Sequence, residues 1–148
     1  MIILTYIATL GFIGYIPFAP GTFGTLFALI LFFIIKPSIF THIIILVVII
    51  PVAIFSSHYA EIYLNKKDCR NIVIDEFCGY FLSMLFIPHN TAYIITAFFL
   101  FRFFDILKPF PIRKIESTLS GGKGIVADDI AAALYTNIIL QICKLIKI

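Results

Sequence analysis

Apolar residues fall in six blocks separated by short polar turns. They run from Ile2 to Ile16 with Gly11 and Gly14 inside, from Phe23 to Ile35, and from Ile39 to Phe55 across Pro51. After a polar interval come Phe77 to Ile87, Thr91 to Leu107 and Ile130 to Ile146. Lys36-Pro37 and Pro88-His89-Asn90 stop two of the blocks. Within each block the apolar run is continuous rather than alternating, which predicts helices and argues against a membrane barrel. Several blocks are shorter than the ~20 residues that cross a hydrocarbon core. Each short block adjoins a polar motif, so the pattern predicts helices that continue into those motifs. No repeat, low-complexity tract or linker divides the chain. A single domain over residues 1–148 is expected.

Composition sharpens this picture. Of 148 residues, 61% are hydrophobic and 13% charged, against roughly a quarter charged in soluble domains. Mean hydropathy is +1.09. Too little polar surface exists to cover a water-soluble globule, so lipid must face much of the chain. The expected fold is all-α, a small polytopic membrane helical bundle of about four transmembrane helices. The N-terminal block is expected to be a re-entrant or interfacial helix. A net charge of +3 without a long basic run argues against nucleic acid, and no protein partner is predicted. Cys69, Cys78 and Cys143 follow no paired or metal-like spacing and are read as reduced thiols. Met1-Ile2-Ile3-Leu4 carries no basic n-region, and no removable signal peptide is expected.

Lysine and arginine set the orientation. Lys66, Lys67 and Arg70 lie between the third and fourth blocks, and Arg113, Lys114 and Lys123 between the fifth and sixth. Pro88-His89-Asn90 carries neither. Residues 65–75 and 109–128 are therefore expected in the cytoplasm, with the bend from Tyr15 to Thr25 beside them if residues 23–35 span once. Lys144 and Lys147 then fall outside, against the rule. This topology brings every Gly-, Asp- and Glu-rich motif to one leaflet, as an active site at a membrane surface requires.

Four motifs carry the candidate chemistry. In Ala19-Pro20-Gly21-Thr22-Phe23-Gly24-Thr25, glycines allow close backbone approach, and N–H groups at a helix start bind anions. A tight turn and an N-cap account for the same residues. In Ile74-Asp75-Glu76-Phe77-Cys78-Gly79, adjacent carboxylates open an apolar helix. They complement the helix dipole, but ionised groups at a membrane boundary point to function, and Mg²⁺ prefers such oxygens.

The third motif is Phe101-Arg102-Phe103-Phe104-Asp105-Ile106-Leu107-Lys108-Pro109-Phe110-Pro111. Arg102, Asp105 and Lys108 sit three apart, near one helical face. The two cations suit phosphate oxygens, and an internal Arg102–Asp105 pair is the plainer alternative. Pro109 ends the helix, and Pro111 opens a short amphipathic piece to about Leu119. There Arg113 and Lys114 either meet anionic headgroups or serve only as positive-inside charge. The fourth motif, Gly121-Gly122-Lys123-Gly124-Ile125-Val126-Ala127-Asp128-Asp129, leads a glycine turn into a second carboxylate pair, one member of which is expected to cap a helix. Asp75, Glu76, Asp105, Asp128 and Asp129 make five carboxylates whose repulsion cations relieve.

Other chemistries are absent from the sequence. It has no C-x5-R run, no D-x-D-x-[TV] signature, no D-G-x2-A-R and no G-x4-G-K-[ST] loop. His42, His58 and His89 lie outside the four motifs.

The four motifs, in this order, resemble the phosphatidylglycerophosphatase A family. The carrying residues are Gly14-Tyr15, Pro17, Pro20 to Thr25, Ile72 to Glu76 with Gly79, Phe101-Arg102, Phe104-Asp105, Lys108-Pro109, Pro111-Ile112, Gly121-Gly122, Gly124-Ile125 and Asp128-Asp129. The similarity covers about residues 8 to 140. It implies an all-helical enzyme of the bacterial inner (cytoplasmic) membrane that removes the terminal phosphate of phosphatidylglycerophosphate with Mg²⁺. The chain departs from the family pattern at Phe18, where a basic residue is usual, at Cys69 after Asp68, where proline is usual, and at Ala132, where glycine is usual. None of these changes removes a carboxylate.

The resulting expectation is a membrane-bound phospholipid phosphatase acting on the cytoplasmic face. Asp75, Glu76, Asp105, Asp128 and Asp129 are expected to hold Mg²⁺, with Glu76, Asp105, Asp128 and Asp129 also catalytic. Thr22, Gly24, Thr25, Arg102, Lys108 and Lys123 are expected to bind the substrate phosphate. The nucleophile is either water or an aspartate. Two rivals stand beside this reading. One is a phosphatase of another lipid or prenyl phosphate. The other is a small transporter or channel subunit with an acidic ion site.

Overall fold

A computed structural model describes residues 1–66 and 69–146, and their side chains apart from Glu116 and Ser117. Lys67, Asp68 and Lys147, which entered the charge and family readings, lie outside the described residues, as does Ile148.

The described residues form helices and no strand. These are α1 (Ile2–Ala8), a 3₁₀ turn (Ile13–Tyr15), α2 (Pro20–Ile35), α3 (Ile39–Leu64), α4 (Ile74–Ser83), α5 (Thr91–Leu107), α6 (Ile112–Thr118) and α7 (Gly122–Leu145). As the apolar pattern predicts, the helices run on through the polar motifs: α2 begins at Pro20, α4 at Ile74 and α7 at Gly122. Ser38 caps α3, accepting from the Thr41 amide, and Asn90 caps α5, accepting from the Tyr93 amide. Lys36, Asn65 and Lys108 close α2, α3 and α5 in the left-handed conformation.

Among the described residues, two helices are long and apolar enough to cross a membrane, α3 with 26 residues and α7 with 24. Helix α2 is a shorter apolar helix. The N-terminal block breaks into the seven-residue α1 and a 3₁₀ turn, well short of the ~20 residues a span needs. Large apolar side chains stand exposed along the outer faces, among them Ile34 on α2, Val47 and Phe55 on α3, Phe99 on α5 and Ile138 on α7.

Helix α4 is the hub. Phe77, Cys78, Gly79, Tyr80, Phe81 and Ser83 are all buried, and the helix packs on α2, α3, α5 and α7. Gly79 makes this possible. A Cβ there would lie 2.5 Å from ring carbons of Phe101 on α5 and 3.2 Å from the Asp129 carbonyl on α7. Small residues let helices approach this closely.

The far end of α4 is tied down by polar residues of α7. The Asn137 amide donates to the Ser83 and Leu85 carbonyls at 2.9 and 2.8 Å, and Lys144 donates to Phe86 at 3.0 Å. These bonds satisfy carbonyls left over where the helix stops. His42 is buried at this end, its Nε2 2.9 Å from the Phe81 carbonyl, and the Phe32 ring packs against both His42 and His89.

Candidate active site

The four motifs meet at the opposite end of the bundle. Asp75 and Glu76 occupy the first turn of α4 and Asp105 the last turn of α5, while Asp128 and Asp129 sit in the second turn of α7. Neither aspartate of the last pair is the expected N-cap, because α7 starts six residues earlier at Gly122. Its buried face then includes Gly122, Gly124, Val126, Asp128 and Asp129, so the glycine turn becomes helix packed against its neighbours.

All five carboxylates line one cavity of about 110 Å³, together with Lys108, Arg70 and Cys69. Single oxygens or ligand atoms of Asp75, Glu76 and Asp129 lie within 4.8 Å of one another. Arg102 pairs with Asp105 one turn on, and its Nη1 is 3.8 Å from Glu76 Oε1. The Lys108 ammonium donates to Asp128 Oδ2 at 2.6 Å, joining the end of α5 to the start of α7.

The donor set suits a hard divalent cation. Asp75 Oδ1, Glu76 Oε2 and Asp129 Oδ2 are buried without a hydrogen-bond partner among the described residues, an expensive arrangement for bare acceptors. With all five acids ionised, Arg70, Arg102 and Lys108 leave two negative charges unmatched among the described residues. Oxygen-only ligands and a double negative charge are what Mg²⁺ takes. Arg102 Nε is likewise buried and unpartnered, a donor available to an anion.

The remaining candidates are placed differently. Residues Pro20 to Thr25 form the first turns of α2 rather than a loop. The Thr25 hydroxyl is buried and donates back to the Gly21 carbonyl at 2.9 Å. Gly24 packs on Val73, where a Cβ would come within 3.0 Å of the valine Cβ. Gly21 is the glycine that touches the site. A Cβ there would lie 2.0 Å from Glu76 Oε1 and 3.3 Å from Arg102 Nη1. Thr22 is half-buried on the same turn. Lys123 is exposed and lines a separate apolar cavity with His58, Pro51 and Phe55.

Arg70 was legible only as a topology charge, and Cys69 as a lone thiol and a departure from the family pattern. They reach the cavity through the loop before α4, for which no periodicity exists in the sequence. That loop is pinned from the N-terminal segment, since the Asn71 amide donates to the Gly14 carbonyl at 2.7 Å and the Val73 N–H donates to Ala8 at 2.9 Å.

The family profile of phosphatidylglycerophosphatase A matches residues 6–144. The chain belongs to the phosphatidylglycerophosphatase A family. A Haemophilus influenzae protein named phosphatidylglycerophosphatase A is 39% identical over 132 residues, covering 86% of this chain and 80% of that one. The Escherichia coli protein of the same name is 33% identical over 130 residues, covering 86% and 75%. A Bacteroides thetaiotaomicron protein, provisionally named a phosphatidylinositol-3-phosphatase, is 34% identical over 140 residues, covering 88% and 87%. No solved structure matches the chain.

Proposed function

We propose that this family member is an Mg²⁺-dependent membrane phosphatase that hydrolyses phosphatidylglycerophosphate to phosphatidylglycerol and phosphate. The observation that carries this reading is the gathering of five carboxylates with Arg102 and Lys108 at one end of an apolar helical bundle. Two homologues bearing the phosphatidylglycerophosphatase A name support the substrate.

Asp75, Glu76 and Asp129 would hold the cation, with Asp105 and Asp128 beside them. A bound dication supplies Lewis-acid polarisation of phosphoryl oxygens. Arg102 and Lys108 neutralise charge on the transferring phosphoryl group. Water attacks phosphorus in line as the bond to the glycerol oxygen breaks. A cavity carboxylate takes the proton of the attacking water, and the leaving oxygen gains a proton to become the free hydroxyl of phosphatidylglycerol. An aspartyl-phosphate route would use the same residues, with one aspartate as nucleophile.

The bundle is read as multi-pass in a bacterial inner membrane, with α2, α3, α5 and α7 as its four longer membrane helices, the short buried α4 carrying the chain back across between α3 and α5, and α1 at the interface. Helices α2 and α5 have 16 and 17 residues, near the lower limit for a span. Arg70, Arg113 and Lys114 lie at the carboxylate end, which supports a cytoplasmic site. The name of the Bacteroides relative favours, as a second reading, a phosphomonoester on another lipid headgroup.

The test is phosphate release from phosphatidylglycerophosphate by purified protein in detergent, with Mg²⁺ or EDTA. Mg²⁺-dependent release is the expected result. Folded protein that releases phosphate only from phosphoinositides would favour the second reading.

A further inference from the structure

A second cavity, of about 620 Å³, adjoins the carboxylate site and is lined by Leu107, Lys108, Pro109, Phe110, Arg113 and Lys114. Lys108 belongs to both cavities. Its ammonium reaches Asp128 in the first, so the two share a wall. No carboxylate lines the second cavity among the described residues. Its chemistry is half cationic and half apolar. Arg113 and Lys114 are exposed on α6, and Phe110 is 79% exposed beside them. The turn that presents these groups is held by Tyr135, whose hydroxyl donates to the Phe110 carbonyl at 3.0 Å.

We infer that Arg113 and Lys114 form a second anion subsite, which reads the phosphodiester of the same lipid whose terminal phosphate enters the carboxylate cavity. The inference rests on the function proposed above. That substrate carries two phosphates separated by one glycerol, a monoester at the end and a diester next to the diacylglycerol. Two adjoining anion sites with a shared lysine match this pattern. The apolar flank of Leu107, Pro109 and Phe110 lies where the acyl chains leave the diester. Guanidinium and ammonium groups are suited to phosphate oxygens. A lipid whose only phosphate is a terminal monoester, such as phosphatidic acid, has nothing to place in the second subsite.

The experiment compares wild type with Arg113→Gln, Lys114→Gln and Arg113→Lys in neutral detergent micelles with Mg²⁺, where no anionic lipid surface attracts basic residues. Phosphatidylglycerophosphate is the substrate, and phosphatidic acid is the competitor. Each Gln variant is expected to raise KM about tenfold, the scale of one lost charge-assisted contact, with kcat held within a few-fold. Arg113→Lys should restore most of the loss, and the inhibition constant of phosphatidic acid should stay near its wild-type value. An unmoved KM, or an inhibition constant that rises in step with KM, overturns the second subsite while leaving the phosphatase reading intact. Absence of wild-type phosphate release from phosphatidylglycerophosphate overturns both.

Discussion

Lys108 Nζ lies 2.6 Å from Asp128 Oδ2, across the gap between the last residue of one helix motif and the second turn of another. The lysine sits in the left-handed conformation that stops α5, so the break in the helix and the position of the charge are one event. The pair locks α5 to α7 at the mouth of the carboxylate cavity. Both side chains are mostly buried, at 23% and 9% exposure.

Breaking that pair should destabilise the bundle. Lys108→Met leaves Asp128 without this cation, and removing one partner of a buried pair costs up to about 3–5 kcal/mol. Part of the lysine is solvated, so a loss toward the lower end is expected. Thermal unfolding in detergent with EDTA measures it. The double variant Lys108→Met/Asp128→Asn should recover a good part of the lost stability, and a purely additive result would remove the pair from the account.

The carboxylates should be indispensable to turnover but not to folding. Asp105→Asn and Asp129→Asn are expected to lower phosphate release by at least about 100-fold, beyond the 10–100-fold typical of groups that only support a metal ligand. Size-exclusion profiles and circular dichroism should match wild type. A variant retaining a third of the activity would exclude that residue from the site.

Adding Mg²⁺ should stabilise the protein, because a ligand that binds only the folded state contributes by mass action, about 2.7 kcal/mol at a hundred times its Kd. The Tm of wild type should rise with Mg²⁺ and fall back with EDTA. Asp75→Asn, which removes the charge of one of three clustered carboxylates, should flatten that response. Equal Tm shifts in wild type and variant would show that the ion acts elsewhere.

Two glycines one turn apart should fail differently. In Gly21→Ala the new methyl meets Glu76 Oε1 and Arg102 Nη1, so the expected loss is in kcat with a modest change in Tm. In Gly24→Ala it meets Val73, including the main-chain oxygen at 3.1 Å. The expected loss there is stability, about 1–3 kcal/mol for overpacking. Parallel Tm and activity measurements on the two variants separate these effects.

Asn137→Leu provides a control at the opposite end of the bundle. It strips two donors from the Ser83 and Leu85 carbonyls, at a cost of about 1–3 kcal/mol for buried acceptors left unpaired. Activity per folded molecule should be unchanged. A drop in kcat would mean that the two ends of α4 communicate.

Much of this was written in the sequence. The apolar blocks announced the helices because backbone in an apolar setting must satisfy itself. Their shortness announced that helices continue into the polar motifs, though not that α7 begins at Gly122, six residues before the Asp128-Asp129 pair where a cap is expected. The spacing of Arg102, Asp105 and Lys108 placed three charges near one helical face, since three residues make almost a full turn. The carboxylate pairs stood out because charges are so rare in this chain.

Tertiary structure decided the rest, since it depends on how close helices come and in what rotation. That Gly21 rather than Gly24 faces Glu76 follows from how α2 packs on α4, and no local pattern distinguishes the two glycines. Thr25 looked like a phosphate donor, yet packing turns its hydroxyl back to its own helix. Lys123 shares a motif with Asp128 and Asp129 but faces another cavity, because the first turn of α7 lays it, with Gly122, beside Pro51, Phe55 and His58 of α3. Arg70 entered the site through an irregular loop held by Asn71 and Val73. Sequence fixes which residues are charged and how far apart they lie along a helix. Only packing between helices sets which of those charges meet.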